Sequence, residues 1–301
     1  MSRQARILVY LANGVQGGAV VRQAVQRGYS VRALVRDLHK GASLRSLGTE
    51  IVTGDLNNAA SLRSAHDGVD YVVLQIPPGS PLLTETFMTN ALEAIRSAGV
   101  RGVVVKMAST RPDMPTSEPS FLANEMIESR IRESGIPFSI IRPTLYLDNL
   151  LKPDTREDIR RHNLIVYPLP EAQRVAWTSV DDAAAAALTL IDNRALGGDH
   201  RICSTEALDG AGLAHAFSLA LERPVTFRSL PLDTLEQQLD ALMGAGAGKC
   251  ISSRLRFFES QPEQANRMLA ATFLPAPELK GFSPTSIQQW LTKRAGLFSA
   301  S

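Results

Sequence analysis

Six short apolar runs, each parted from the next by a polar or helical stretch, constrain this chain more than any other feature. The runs are "RILVYL" (6–11), "SVRALVR" (30–36), "EIVTG" (50–54), "DYVVLQI" (70–76), "GVVVKMAS" (102–109) and "FSIIRP" (138–143). Between them lie "GAVVRQAVQRG", "NAASLRSAHDG", "LTETFMTNALEAIRSAG" and "SFLANEMIESRIRESG", each closing on a glycine, the residue that left-handed helix caps favour. Parallel strands cannot be joined by tight turns and need crossovers of this length. The expected class is therefore α/β, a Rossmann-type doubly wound parallel sheet.

After "RPTLYLDNLL" the rhythm breaks. Residues 151–176 are rich in charge and proline, and "WTSVDDAAAAALTLIDN" (177–193) restores a helix, with Val180, Asp181 and Asp182 expected to supply its N-terminal cap. The run "HRICS" (200–204) is expected to add an edge strand. From 205 onward helices dominate, including "AGLAHAFSLALE" and "LDTLEQQLDALMGAGAG", and in "TSIQQWLTKRAG" Thr285 and Gln288 have capping-box spacing. This reads as a smaller, mainly helical C-terminal lobe.

Composition narrows the function classes. The 301 residues are 44% apolar and 21% charged, ordinary globular values. A net charge of +2, evenly spread, does not fit a nucleic-acid surface. Cys203 and Cys250 lie far apart without CxxC spacing, so no disulfide framework or metal site is expected and both thiols are read as buried. The start lacks a signal-like apolar core, and no window reaches the roughly 18 apolar residues of a membrane helix, so no membrane contact and a cytoplasmic location are expected.

The turn after the first run, Asn13-Gly14-Val15-Gln16-Gly17-Gly18, has the small residues that let backbone approach a pyrophosphate at a helix N-terminus. Arg36 ends the second run about 20 residues on, where an acidic residue would bind a free ribose and an arginine a 2′-phosphate. Arg36, with Lys40 as a second charge, points to the phosphorylated cofactor NADP(H). Asp55 and Leu56 are placed against the adenine edge. The division that follows is an NAD(P)-binding domain over 1–150, completed by 177–204, and a substrate-binding lobe over 151–176 and 205–301.

The stretches "NGVQGGAVVRQAVQRGYSVRALVRD", "GDLNNAASLRSAHDGVDYVVLQIPP", "SGIPFSIIRPTLYLDNLL" and "VAWTSVDDAAAAAL" closely resemble the NmrA-like branch of the atypical short-chain dehydrogenase/reductases. The resemblance implies NADP(H) lying across the strand ends, with a small-molecule substrate in a cleft between the lobes. It assigns phosphates to Asn13, Gly14, Gln16 and Gly17, with Val15 among them as a further cofactor-binding residue, the 2′-phosphate to Arg36, adenine to Asp55 and Leu56, and the middle of the cofactor to Gln75, Ile76 and Pro77. Ser109 would face the nicotinamide.

Two positions depart from that pattern. Leu11 stands where such turns carry glycine, and its side chain would crowd the adenosine ribose. Asn124 stands where redox members commonly carry a lysine; it keeps a hydrogen bond to the nicotinamide ribose but delivers no proton. Ser109, Asn124 and Tyr146 are the catalytic candidates. His39 and His66 fall on expected surface turns, and His162, His200 and His215 have no readable carboxylate or serine partner, so a Ser-His-Asp arrangement is not supported.

Three functions fit this reading: an NADPH-dependent oxidoreductase giving hydride to a quinone, enone or similar electron-poor molecule; a non-catalytic NADP(H) sensor that reports to a protein partner; and a non-redox cyclase or rearrangement enzyme using the same cleft. Within the first, simple ketones are expected to be poor acceptors, because their alkoxide needs a positioned acid.

Overall fold

The computed structural model describes residues 4–77 and 79–299. Its N-terminal part alternates β1 (Arg6–Val9), α1 (Val15–Gln26), β2 (Ser30–Val35), the short α2 (Ala42–Arg45), β3 (Glu50–Thr53), α3 (Ala59–His66), β4 (Tyr71–Leu74), α4 (Pro81–Ala98), β5 (Gly102–Lys106), α5 (Pro119–Glu133) and β6 (Phe138–Pro143). There follow α6 (Pro153–His162), β7 (Leu164–Tyr167), α7 (Val180–Asp192) and β8 (Asp199–Ile202). The remainder holds α8 (Gly210–Leu221), β9 (Thr226–Ser229), α9 (Leu232–Met243), α10 (Ala247–Ser260), α11 (Pro262–Leu269) and α12 (Ile287–Thr292).

Seven parallel strands form one sheet in the order β3-β2-β1-β4-β5-β6-β8, the doubly wound Rossmann arrangement. Side chains alternate across it. Ile7, Val9, Val35, Val73, Val104 and Ile141 pack with α1 and α7 on one face; Leu8, Leu34, Val72, Leu74, Val105 and Ile140 pack with α3, α4 and α5 on the other. Gly28, Gly68, Gly99 and Gly135, which follow α1, α3, α4 and α5, all take left-handed φ between 61° and 82°. The edge strand expected in 200–204 forms as β8 against β6.

The second lobe has its own core around Phe121, Trp177, Phe217, Phe258 and Trp290, and a separate two-stranded parallel sheet of β7 and β9. Residues 151–176 contain α6 and β7 rather than irregular chain. The caps also differ from expectation by a residue. Ser179, not the Val180-Asp182 stretch, caps α7 by accepting the Asp182 N–H. Ser286 and Gln289 form the capping box of α12. Thr285 instead bonds both carboxylate oxygens of Asp182, which ties α12 to α7.

Two further expectations are corrected, at His66 and at Cys250. His66 is fully buried: the last turn of α3 faces the sheet, where its Nδ1 donates to the Leu62 carbonyl at 2.7 Å and its Nε2 lies 3.3 Å from the Tyr10 hydroxyl. His200, on β8, is also buried and lies 2.9 Å from the Gly197 carbonyl. Cys203 is buried as expected, but Cys250 is exposed on the first turn of α10. Among the described residues no helix is long and apolar enough to cross a membrane, and no cluster of His, Cys, Asp and Glu could hold a metal.

Where the chain passes between the lobes, Thr178 joins its strands. Its hydroxyl donates to the Ile202 carbonyl at 2.6 Å and accepts the Thr144 N–H at 3.0 Å, and the side chain is fully buried. Thr178→Val keeps the shape but strands both backbone groups away from water. We expect a loss of about 2–4 kcal/mol in urea unfolding, whereas Thr178→Ser should recover most of it.

Candidate active site

Doubly wound sheets bind ligands at the carboxyl ends of their strands, beside the point where strand order reverses. That point lies here between β1 and β4. The turn after β1 leads into α1, whose N-cap Gly14 offers no side-chain acceptor, so the first-turn N–H groups stay open to an anion. Gly17 is obligatory: a Cβ there would lie 2.3 Å from the Leu11 carbonyl oxygen. Leu11 itself takes the left-handed conformation, φ 50°, that glycine adopts freely, and packs into none of the three apolar cores.

The residues named from sequence fall along this edge. Asn13, Gly14 and Val15 are exposed and Gln16 is half-buried beside them. Arg36 and Lys40 are exposed at the end of β2 and in the helical turn after it, and neither forms an ion pair among the described residues. Asp55 is exposed, its carboxylate accepting the Asn57 N–H, while Leu56 is buried in the core beneath it. Gln75 follows β4 and donates to Gln16 Oε1 at 3.1 Å; Ile76 is buried and Pro77 half-buried. Ser109 and Asn124 meet in the interior, where Asn124 Nδ2 donates to Ser109 Oγ at 3.2 Å and Ser109 donates to the Thr110 carbonyl at 2.8 Å. Asn124 is therefore a clamp on the segment leaving β5.

Sequence reasoning missed Lys106. It ends β5 and, by the alternation of the strand, points to the same face as Val104, under α1. The side chain is buried, 4% exposed. Its Nζ donates to Gln16 Oε1 and lies 3.2 Å from the hydroxyl of Tyr146, above whose ring it sits at 5.4 Å. No carboxylate forms an ion pair with it among the described residues. Burial lowers its ammonium pKa to about 7 and drives the Tyr146 phenol far above its usual range, with Asp148 adding to the rise. At neutral pH Tyr146 thus holds its proton, and Lys106 is the member of the pair that titrates.

A charge without a counter-ion in this position has a signature in stability. The unfolded chain keeps lysine near 10.4, so between about pH 7 and 10 it binds more protons at this residue than the folded chain. The contribution of Lys106 to stability rises with pH across that window and is most unfavourable below it. Lys106→Met should therefore stabilise the protein more at pH 6 than at pH 9.5, by a difference of roughly 2–3 kcal/mol in urea unfolding. An equal gain at both pH values would show that Lys106 is not charge-strained.

A second, partly buried cation approaches from the other lobe. Arg254 on α10 donates to the Ala108 carbonyl at 3.3 Å and lies over the Phe121 ring at 5.9 Å. Tyr167, packed edge-on against Trp177 and bonded by Asn149 at 3.2 Å, completes this side.

An NAD(P)H azoreductase of Xenophilus azovorans is 27% identical to this chain over 98% of it and the whole of the relative. A (4-alkanoyl-5-oxo-2,5-dihydrofuran-3-yl)methyl phosphate reductase of Streptomyces griseus is 26% identical, covering 97% of this chain and 99% of the relative. The Citrobacter sp. triphenylmethane reductase, solved with NADP(H), superposes with a TM-score of 0.74 at 21% identity over 96% of this chain and 99% of that one. The family description "NmrA-like family" matches residues 3–291, nearly the whole sequence, and the chain belongs to the NmrA-like family.

Proposed function

We propose that this protein is an NADPH-dependent reductase of small conjugated acceptors, quinones or enones, and that Tyr146 with Lys106 supplies the proton that accompanies reduction. The observation that carries this reading is the buried Lys106–Tyr146 pair at the switch-point edge of the sheet. The azoreductase and the dihydrofuranone-phosphate reductase support reductive chemistry on a conjugated system.

The residues present fit the cofactor. The uncapped amides of α1 receive a diphosphate, Gly17 lets the turn close on the helix, and Arg36 with Lys40 offers two exposed, unpaired charges to a 2′-phosphate. Bound there, NADPH supplies the hydride. When an enone accepts it at carbon, negative charge develops on the carbonyl oxygen. The Tyr146 hydroxyl donates a proton to that oxygen, and the Lys106 ammonium hydrogen-bonded to the phenol returns one to it. The donor absent from α5, where Asn124 stands, is thus supplied from β5. The Asn124–Ser109 bond holds the segment between them.

Two measurements check this. NADPH should bind more tightly than NADH, and Arg36→Ala should narrow the gap by about tenfold or more, as expected for a charge-assisted phosphate contact; equal affinities in the parent would remove Arg36 from the site. Tyr146→Phe should lower kcat on an enone by about a hundredfold and on a quinone by less, because water protonates a hydroquinone oxygen readily. The pH profile adds a signature: kcat on the enone should fall above about pH 7 as Lys106 loses its proton, and Lys106→Met should abolish that fall. Tight NADPH binding with no oxidation by any acceptor would overturn the proposal.

A further inference from the structure

Several of the buried and partly buried arginines of this protein are matched by acceptors. Arg142 is held by Glu128 and Asp199, Arg256 by Asp233 and Glu236, and Arg294 by Asp148 and Asp181. Arg223, without a carboxylate, spends its donors on the carbonyls of Arg160, Ile159 and Phe298, and Arg201 does the same with Arg267, Met268 and Ala271. Arg254 differs. Its Nη1 has one carbonyl, that of Ala108, at the long distance of 3.3 Å, and its Nε is buried with no partner at all. Among the described residues it forms no ion pair.

Its position gives this deficit a meaning. Arg254 reaches out of the small lobe to the segment leaving β5, two residues past Lys106, and its charge acts on both Tyr146 and Tyr167. It is stacked near Phe121, which in turn packs edge-on against Phe257, so the guanidinium is braced by α5 and α10 together. With Nε closed off by the surrounding protein, the donors left to a ligand are Nη2 and the second N–H of Nη1, the end-on pair that matches two oxygens of a carboxylate, sulfonate or phosphate. Burial without a counter-charge lowers its pKa to about 10, which still leaves it charged at neutral pH.

From this geometry we infer that Arg254 is the specificity residue of the substrate cleft, and that it recognises an anionic oxygen group carried by the acceptor. The inference rests on the reductase reading for the word acceptor, but the anion site stands on Arg254 itself. A substituent held at Arg254 would lie on the small-lobe side of the same strand end at which Tyr146 meets Lys106. The anion would thereby orient the conjugated part of the molecule toward the proton donor without taking part in the chemistry.

The test compares matched molecules with and without the anion. NADPH oxidation with 1,4-naphthoquinone-2-sulfonate and with 1,4-naphthoquinone is measured for the parent, Arg254→Met and Arg254→Lys, alongside NADPH binding by fluorescence. The parent should favour the sulfonate, and Arg254→Met should lose about tenfold or more in kcat/KM for it, chiefly through KM, with the neutral quinone and the NADPH affinity within about threefold of the parent. Arg254→Lys should recover part of the loss, having charge without the end-on pair. Equal losses on both quinones would make Arg254 structural, and a matching loss of NADPH affinity would make it a cofactor contact; either overturns the inference. Calorimetry with 2-naphthalenesulfonate and 2-naphthol separates this result from the reductase reading. Tighter sulfonate binding lost in Arg254→Met upholds the anion site even where no quinone is reduced, and no preference in the parent overturns it even where quinones are reduced briskly.

Discussion

A parallel sheet must be covered on both faces, and that requirement decides where the chemistry of this protein can lie. Every central strand is apolar on alternate sides, so α1 and α7 close one face and α3, α4 and α5 the other. The same alternation that buries Val104 sends Lys106 into the interior, at the one level of the sheet where the strands end and polar groups from the following loops can reach it. Gln16 and Tyr146 are those groups, and Gln75 in turn donates to Gln16. The ammonium is thus held by strand register rather than by an acidic partner, and its depressed pKa follows from covering the sheet.

Much of the Rossmann half was legible because its signals repeat: apolar runs of similar length, helices ended by glycine, a glycine turn after the first run and an arginine after the second. The candidate site was read less completely. Lys106 lay inside "GVVVKMAS", a run interpreted as strand, and the available clue was a charge in an otherwise apolar buried segment. Its partner Tyr146 was noticed on its own merits, because a sequence without a fold gives no distance between residues 106 and 146. Asn124 was read by what it replaces, whereas the structure shows what it holds. The errors at Ser179 and Ser286 came from neighbouring groups with equal capping chemistry, where the tie with Asp182 decides which hydroxyl is free to cap. The strands β7 and β9 are four residues each and pair across about sixty positions, a contact no local pattern announces.

The electrostatics of the cleft are unusual in sign. Beside α5 a buried cation is neutralised: Arg142 and Glu128, both nearly buried, meet at 2.5 Å, and although burial alone would raise the Glu128 carboxyl, Arg132, Arg142 and Arg111 hold it below the usual range. At the edge of the sheet Lys106 and Arg254 approach one another's surroundings from opposite lobes with no such compensation. A low-dielectric site carrying positive charge favours molecules that bear negative charge.

The passage between the lobes has a consequence for motion. The chain crosses near 144–147, 175–179 and 204–208, and these crossings are bonded to one another: Thr178 N–H to the Leu145 carbonyl, Ser204 N–H to Trp177, and Val175 and Leu208 in both directions. Ala176 and Ser204 are further stitched to Leu269, the last residue of α11, and to Phe273 just beyond it. A wide hinge needs a few unpaired residues to absorb rotation, and this seam has its backbone groups engaged. Rotating one lobe against the other would therefore have to break these bonds, so the seam acts as a weld and not as a pivot.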